Sequence, residues 1–208
     1  MKRVGFILIW CLMCLITGCL GGSRPAPLIS HYALEYPTPP TLRMEPLASS
    51  LRVERFSAAR LYAGPEMIIR RGPYRFDPYH EQRWRVSPAD LVGDMLRRDL
   101  LGSGLFRAVM AARDREETQY LLEGGVEEFL EAEGSGGRSA SLAVTVALID
   151  QSQPGKAVRR LLFQKTYRLE EPYTQPGGQG LAAAMSRAMA RCSAQVTADI
   201  EAALKQGR

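Results

Sequence analysis

The side chains able to start covalent or acid–base chemistry are few: two histidines, His31 and His80, and four cysteines, Cys11, Cys14, Cys19 and Cys192. Hydrolysis by a Ser-His-Asp set needs a histidine base next to its nucleophile. No Gly-x-Ser-x-Gly stands in the chain, His31 falls in a proline-rich stretch, and His80 sits in a charged turn, so both read as surface histidines. Cys192 lies on an apolar helical stripe and reads as a buried, inert thiol. Two histidines and one buried cysteine do not make the usual closed zinc set. Gly177-Gly178-Gln179-Gly180 has the glycines of a phosphate cradle but lacks the following Lys-Ser/Thr; it reads as the start of a helix. Glu127-Glu128 and Glu170-Glu171 are adjacent pairs on strands and point to opposite faces, so neither is a preset acid/base dyad. No catalytic, cofactor-binding or metal-ligating set emerges. One recognition feature remains: Arg70, Arg71, Arg75, Arg83 and Arg85 interleave with Tyr74, Phe76, Tyr79 and Trp84. Half-buried aromatics with arginine heads in water would explain it. So would a surface for a protein partner or lipid headgroup, with Arg70, Arg71, Tyr74, Arg83 and Trp84 as its candidate residues.

Cys19 has a different chemistry. Lys2 and Arg3 precede an apolar run from Val4 to Ile16 of 13 residues, short of the roughly 20 needed to span a bilayer but suited to the core of a secretory signal. Thr17-Gly18-Cys19 follows directly and resembles a bacterial lipobox. In that class cleavage follows Gly18 and the thiol of Cys19 receives diacylglycerol, so the only non-protein group expected is this covalent lipid. Residues 1–18 are then a lipoprotein signal peptide. Their loss removes Cys11 and Cys14 and lowers the net charge from +5 to +3, which weakens any case for nucleic acid, as does export. Cys192 is left without a partner, so no intramolecular disulfide is expected. The protein should be lipid-anchored and face the periplasm. By analogy with enteric bacteria, where Asp after the cysteine retains a lipoprotein at the inner membrane, Leu20 directs this chain to the outer membrane.

Residues 19–48 read as a tether, with six of the 13 prolines giving semi-rigid reach; within it, Tyr32-Ala33-Leu34 could add as an edge strand. Residues 49–208 form the folded body. Short strands are expected around Leu51–Phe56, Met67–Arg71 and Leu105–Val109. Ser87-Pro88-Ala89-Asp90 announces a helix, with serine at the N-cap and proline in the first turn; Leu91, Met95, Leu96 and Leu100 line it, and Gly102 or Gly104 ends it. Three period-2 segments follow. Tyr120, Leu122, Val126 and Leu130 are expected to oppose Glu123, Glu127 and Glu131; Leu142 to Leu148 form a nearly apolar strand; and Leu161, Phe163, Tyr167 and Leu169 share a face. A last helix runs from about Gly180 to Lys205 with Leu181, Met185, Met189, Cys192, Val196, Ile200 and Leu204 in one stripe. The pattern predicts a single α+β domain, a largely antiparallel sheet with two helices packed on one face. A lipid-binding carrier, with Met95, Met185 and Met189 lining a pocket, is the alternative to a docking module.

Met67-Ile68-Ile69-Arg70-Arg71-Gly72-Pro73-Tyr74, then Arg83-Trp84-Arg85-Val86-Ser87-Pro88-Ala89-Asp90-Leu91, then Ser103-Gly104-Leu105-Phe106-Arg107-Ala108-Val109 resembles the ABC-type transport auxiliary lipoprotein component family. Tyr32-Ala33-Leu34 is similar to that family's opening Tyr-Tyr-x-Leu, with Ala33 and Glu35 departing from it. The resemblance implies a non-catalytic lipoprotein of a phospholipid transport system. Its partners would be a periplasmic mammalian-cell-entry-domain protein and the inner-membrane ABC permease and ATPase. The lipoprotein would link that periplasmic component to the outer membrane. No nucleic-acid partner is implied, and a homo-oligomer is left open.

Overall fold

The computed structural model describes residues 28–41, 45–134, 136–152 and 159–206. The expected signal peptide, Cys19 and the first part of the tether lie outside these residues. Among them the chain forms β1 (Ser30–Tyr32), β2 (Ala48–Val53), β3 (Ser57–Ala58), a 3-10 turn at Arg60–Tyr62, β4 (Glu66–Arg70), β5 (Phe76–Trp84), α1 (Pro88–Gly102), β6 (Phe106–Ala111), β7 (Tyr120–Gly134), β8 (Gly137–Asp150), β9 (Arg160–Tyr173) and α2 (Gly178–Gln206).

The strand β7 is the spine. Along one edge it pairs antiparallel with β8 over its whole length, and β8 pairs antiparallel with β9, the meander that the period-2 segments predict. Along its other edge β2, β3 and β4 dock in succession, each parallel to it. Beyond them β6 runs parallel to β2, β5 antiparallel to β4, and β1 parallel to β5. The sheet is therefore mixed: antiparallel through its long strands, parallel where short strands join. Parallel neighbours require crossovers, and α1 between β5 and β6 makes one of them. Both helices lie over the same face, α1 near β6 and α2 along β8 and β9.

Local chemistry sets the helices. The Ser87 hydroxyl accepts from the Asp90 N–H at 3.2 Å and donates to the Asp90 carboxylate at 2.7 Å, with Pro88 in the first turn, so the start of α1 satisfies its own donors. Every member of the α2 stripe from Leu181 to Leu204 is buried. It packs on the inward row of β8, Ala140, Leu142, Val144, Val146 and Leu148, also all buried. One continuous core runs from Leu34 to Leu204.

Three expectations change. First, Asp77–Trp84, expected in a charged turn, belongs to strand β5. Pro78 is tolerated there because β1 covers only Gln82–Trp84, so among the described residues no strand pairs with the outer edge of β5 at Pro78. Second, a bulge between Val126 and Glu128 shifts the register of β7 by one. Glu131 consequently joins the inward row, opposite Ala140, and Leu130 passes to the other face. Third, the segment from Ser30 packs on the body: β1 is hydrogen-bonded to β5 and Leu34 is buried. Residues 30–36 of the expected tether are thus packed on the domain, and the edge strand foreseen at Tyr32 is formed.

Candidate contact surface

The hairpin joining β4 to β5 carries the arginine-aromatic stretch. Its turn needs glycine, since Gly72 has φ +117°, and the Arg71 N–H donates to the Arg75 carbonyl at 2.9 Å. At the tip Tyr74 is 94% exposed and Phe76 is 39% exposed. The arginines around them are paired. Arg71 reaches Asp77 at 3.3 Å and Glu133 at 2.8 Å, Arg75 reaches Asp77 at 2.9 Å, and Arg70 lies 3.6 Å from Glu128.

The five candidate surface residues therefore separate. Arg70, Arg71 and Tyr74 gather at the tip. Arg83 sits at the far end of β5, 3.9 Å from Glu66 and donating to the carbonyls of Gln82 and Tyr79. Trp84 is no surface residue: it is fully buried, its ring edge-on to Phe129 at 5.0 Å. The register shift in β5 between its pairing with Glu66 and with Ile68 accompanies this division.

Beneath the tip lies a polar network that sequence inspection missed. The buried Glu131 carboxylate accepts from the hydroxyls of Tyr79 and Tyr173 and pairs with Arg138 Nε at 3.0 Å. Burial first, and then the hydrogen bond to Glu131, pushes both tyrosines above the ordinary phenol range, so they act as fixed neutral donors. Together these four residues staple β5, β7, β8 and β9. Between this hairpin and the β7–β8 turn runs a groove of about 600 Å³ lined by Arg70, Pro73, Phe76, Glu133, Arg138 and Pro172.

The N-terminal segment is strapped to the body. The Arg85 N–H donates to the Tyr32 carbonyl at 2.7 Å, and the Glu35 N–H to Ser186 Oγ at 3.0 Å. The Tyr36 hydroxyl donates to the buried Asp99 at 2.7 Å, and Arg98 holds the other Asp99 oxygen at 2.8 Å. Arg98 also donates to the Tyr36 carbonyl at 3.1 Å and lies 4.3 Å above its ring. Burial, reinforced by Asp99, raises the Tyr36 hydroxyl well above its usual value. Of the other chemistry-bearing residues, His31 and His80 are exposed, and burial pushes the Cys192 thiol up to about 12. Gly177, at φ +88°, precedes α2. Among the described residues no cluster of three or more His, Cys, Asp or Glu is placed to hold a metal, and no helix is long and apolar enough to cross a membrane.

A family model described as ABC-type transport auxiliary lipoprotein component matches residues 32–197. The chain belongs to that family. The match begins in the strap at Tyr32 and takes in the arginine-aromatic hairpin, α1, the meander and α2 as far as residue 197, so the strap is a family element rather than linker. A crystal structure of a Xanthomonas campestris protein superposes with TM-score 0.73 at 22% identity, covering 86% of this chain and 98% of that one. A second crystal structure, of an uncharacterized protein, gives TM-score 0.64 at 17% identity over 83% and 99%. At these identities the likeness shows the shared fold. No curated protein matches the sequence. As a family member the chain is a lipoprotein component of an ABC-type transport system, and so membrane-associated.

Proposed function

We propose that the chain is cleaved after Gly18, lipidated at Cys19 and held at the outer membrane facing the periplasm. There it docks the mammalian-cell-entry-domain protein of an ABC-type phospholipid transport system and performs no catalysis. The family match across residues 32–197 carries this reading; Thr17-Gly18-Cys19 and Leu20 supply the anchor and its sorting. The strap adds a physical reason. With Tyr32–Tyr36 fixed to β5, α1 and α2, the chain is packed on the body from Ser30, eleven residues after Cys19, which keeps the domain near the membrane and raises its effective concentration for a partner there. The Met185 and Met189 side chains of the carrier alternative are buried in the core between α2 and the sheet, which favours docking over carriage. Membrane fractionation of Cys19→Ala tests the anchor: the variant should leave the outer membrane, and unchanged localisation would refute it. Pull-down of the intact lipidated chain from detergent extract tests the partner: recovery of the mammalian-cell-entry protein, the permease or the ATPase is expected.

A further inference from the structure

We infer that the tip of the β4–β5 hairpin, Pro73-Tyr74 with Phe76, lies in the interface of the same bilayer that holds the lipid anchor. This rests on the reading of Cys19 as the lipidated residue. The geometry is set by strand direction. Ser30 lies opposite Gln82 and Tyr32 opposite Trp84, with β1 parallel to β5, so the chain arrives at Ser30 from the side of the Phe76 end of β5. That is the end carrying the hairpin tip. Gln82 and Phe76 are six residues apart, roughly 20 Å along a strand. Cys19 precedes Leu28 by nine residues, a span of at most about 30 Å when extended. Lipid and tip are therefore within reach of one surface.

The chemistry of the tip fits that surface. Tyr74 at 94% and Phe76 at 39% exposure stand out on this end, and Leu28 at 87% and Ile29 at 46% leave the body towards it. A phenol and a phenyl ring on a rigid turn suit the boundary between headgroups and acyl chains, where one end of the side chain stays wet. The surrounding charges cancel: Arg71 and Arg75 are taken up by Asp77 and Glu133. The tip is an aromatic wedge of low net charge, so its contact depends on insertion rather than on anionic lipid. Two rings hold weakly alone; the anchor supplies the local concentration.

The test uses the full lipidated chain in vesicles of phosphatidylethanolamine and phosphatidylglycerol doped with acyl-brominated lipid, reading tryptophan quenching. Tyr74→Trp is compared with Leu161→Trp; Leu161 is 54% exposed at the opposite end of the meander, next to the Asp150 end of β8. Trp84 is buried and gives both variants the same background. Quenching of Tyr74→Trp about twofold or more above that of Leu161→Trp is expected for a ring inserted 5–10 Å deep. Equal or weaker quenching, with acylated Cys19 confirmed by mass, would overturn the inference and leave the anchor standing. An unmodified Cys19 on protein that fails to float with vesicles would overturn both.

Discussion

Trp84 illustrates how much a single buried side chain contributes here. It fills the space between β5 and Phe129, yet its indole N–H has no hydrogen-bond partner among the described residues. Losing the ring leaves a cavity, whereas losing only the N–H relieves an unmet polar group. Urea unfolding should thus show Trp84→Ala destabilised by about 3–5 kcal/mol and Trp84→Phe by less than about 2 kcal/mol. Asp199 makes the corresponding electrostatic case. Burial works to raise its pKa, but hydrogen bonds from Lys165 at 2.6 Å and Tyr167 at 2.8 Å, with the Lys165 charge, hold it below the usual carboxylate value. A carboxyl depressed by folding stabilises the protein above its unfolded pKa of about 3.9 and loses that contribution as pH falls through the lower folded value. Asp199→Asn should flatten the wild-type decline in thermal midpoint below about pH 4. A parallel decline in the two proteins would argue against this.

The strap is the element whose removal should show first. Tyr36, Asp99 and Arg98 close a clamp over residues 62 and 63 apart in sequence, and Asp99 is almost wholly buried. Tyr36→Phe forfeits one hydrogen bond, about 1 kcal/mol, while Asp99→Ala strands two donors and should cost about 2–3 kcal/mol. Hydrogen exchange at the Glu35 amide should accelerate in either variant before any amide of β7–β9; simultaneous acceleration everywhere would mean the strap has no independent stability. Such a clamp is invisible in a linear reading, because nothing in Tyr36 or Asp99 names the other. What was legible followed local rules: the Ser87-Pro88 start of α1, the α2 stripe and the β7–β8–β9 meander. What was not depended on distant pairing. The parallel docking of β2, β3 and β4 has no local signature, and one bulge at Val126–Glu128 took Glu131 out of the expected acidic row and put it in the core.

At the scale of the whole molecule the candidate surface was half legible, since composition marked the arginine-aromatic stretch but could not tell that Trp84 faces inward while Tyr74 faces out. The extent of the domain poses the same problem at its other end. The family match stops at residue 197, yet the core does not: Ile200 and Leu204 are buried under the sheet, and Asp199 ties α2 to β9 through Lys165 and Tyr167. The last turns of α2 have no partner in sequence terms but close the end of the hydrophobic layer over β8. Deleting residues 198–208 removes those two side chains and exposes the surface they cover, at about 2–3 kcal/mol apiece. That is comparable with the roughly 5–15 kcal/mol that holds a domain folded. The truncated protein should unfold at markedly lower urea, with its meander amides exchanging faster throughout, because a single core joins Leu34 to Leu204. A truncation that kept the full-length midpoint would show instead that the domain ends with the family match and that the final turns of α2 are packed but dispensable.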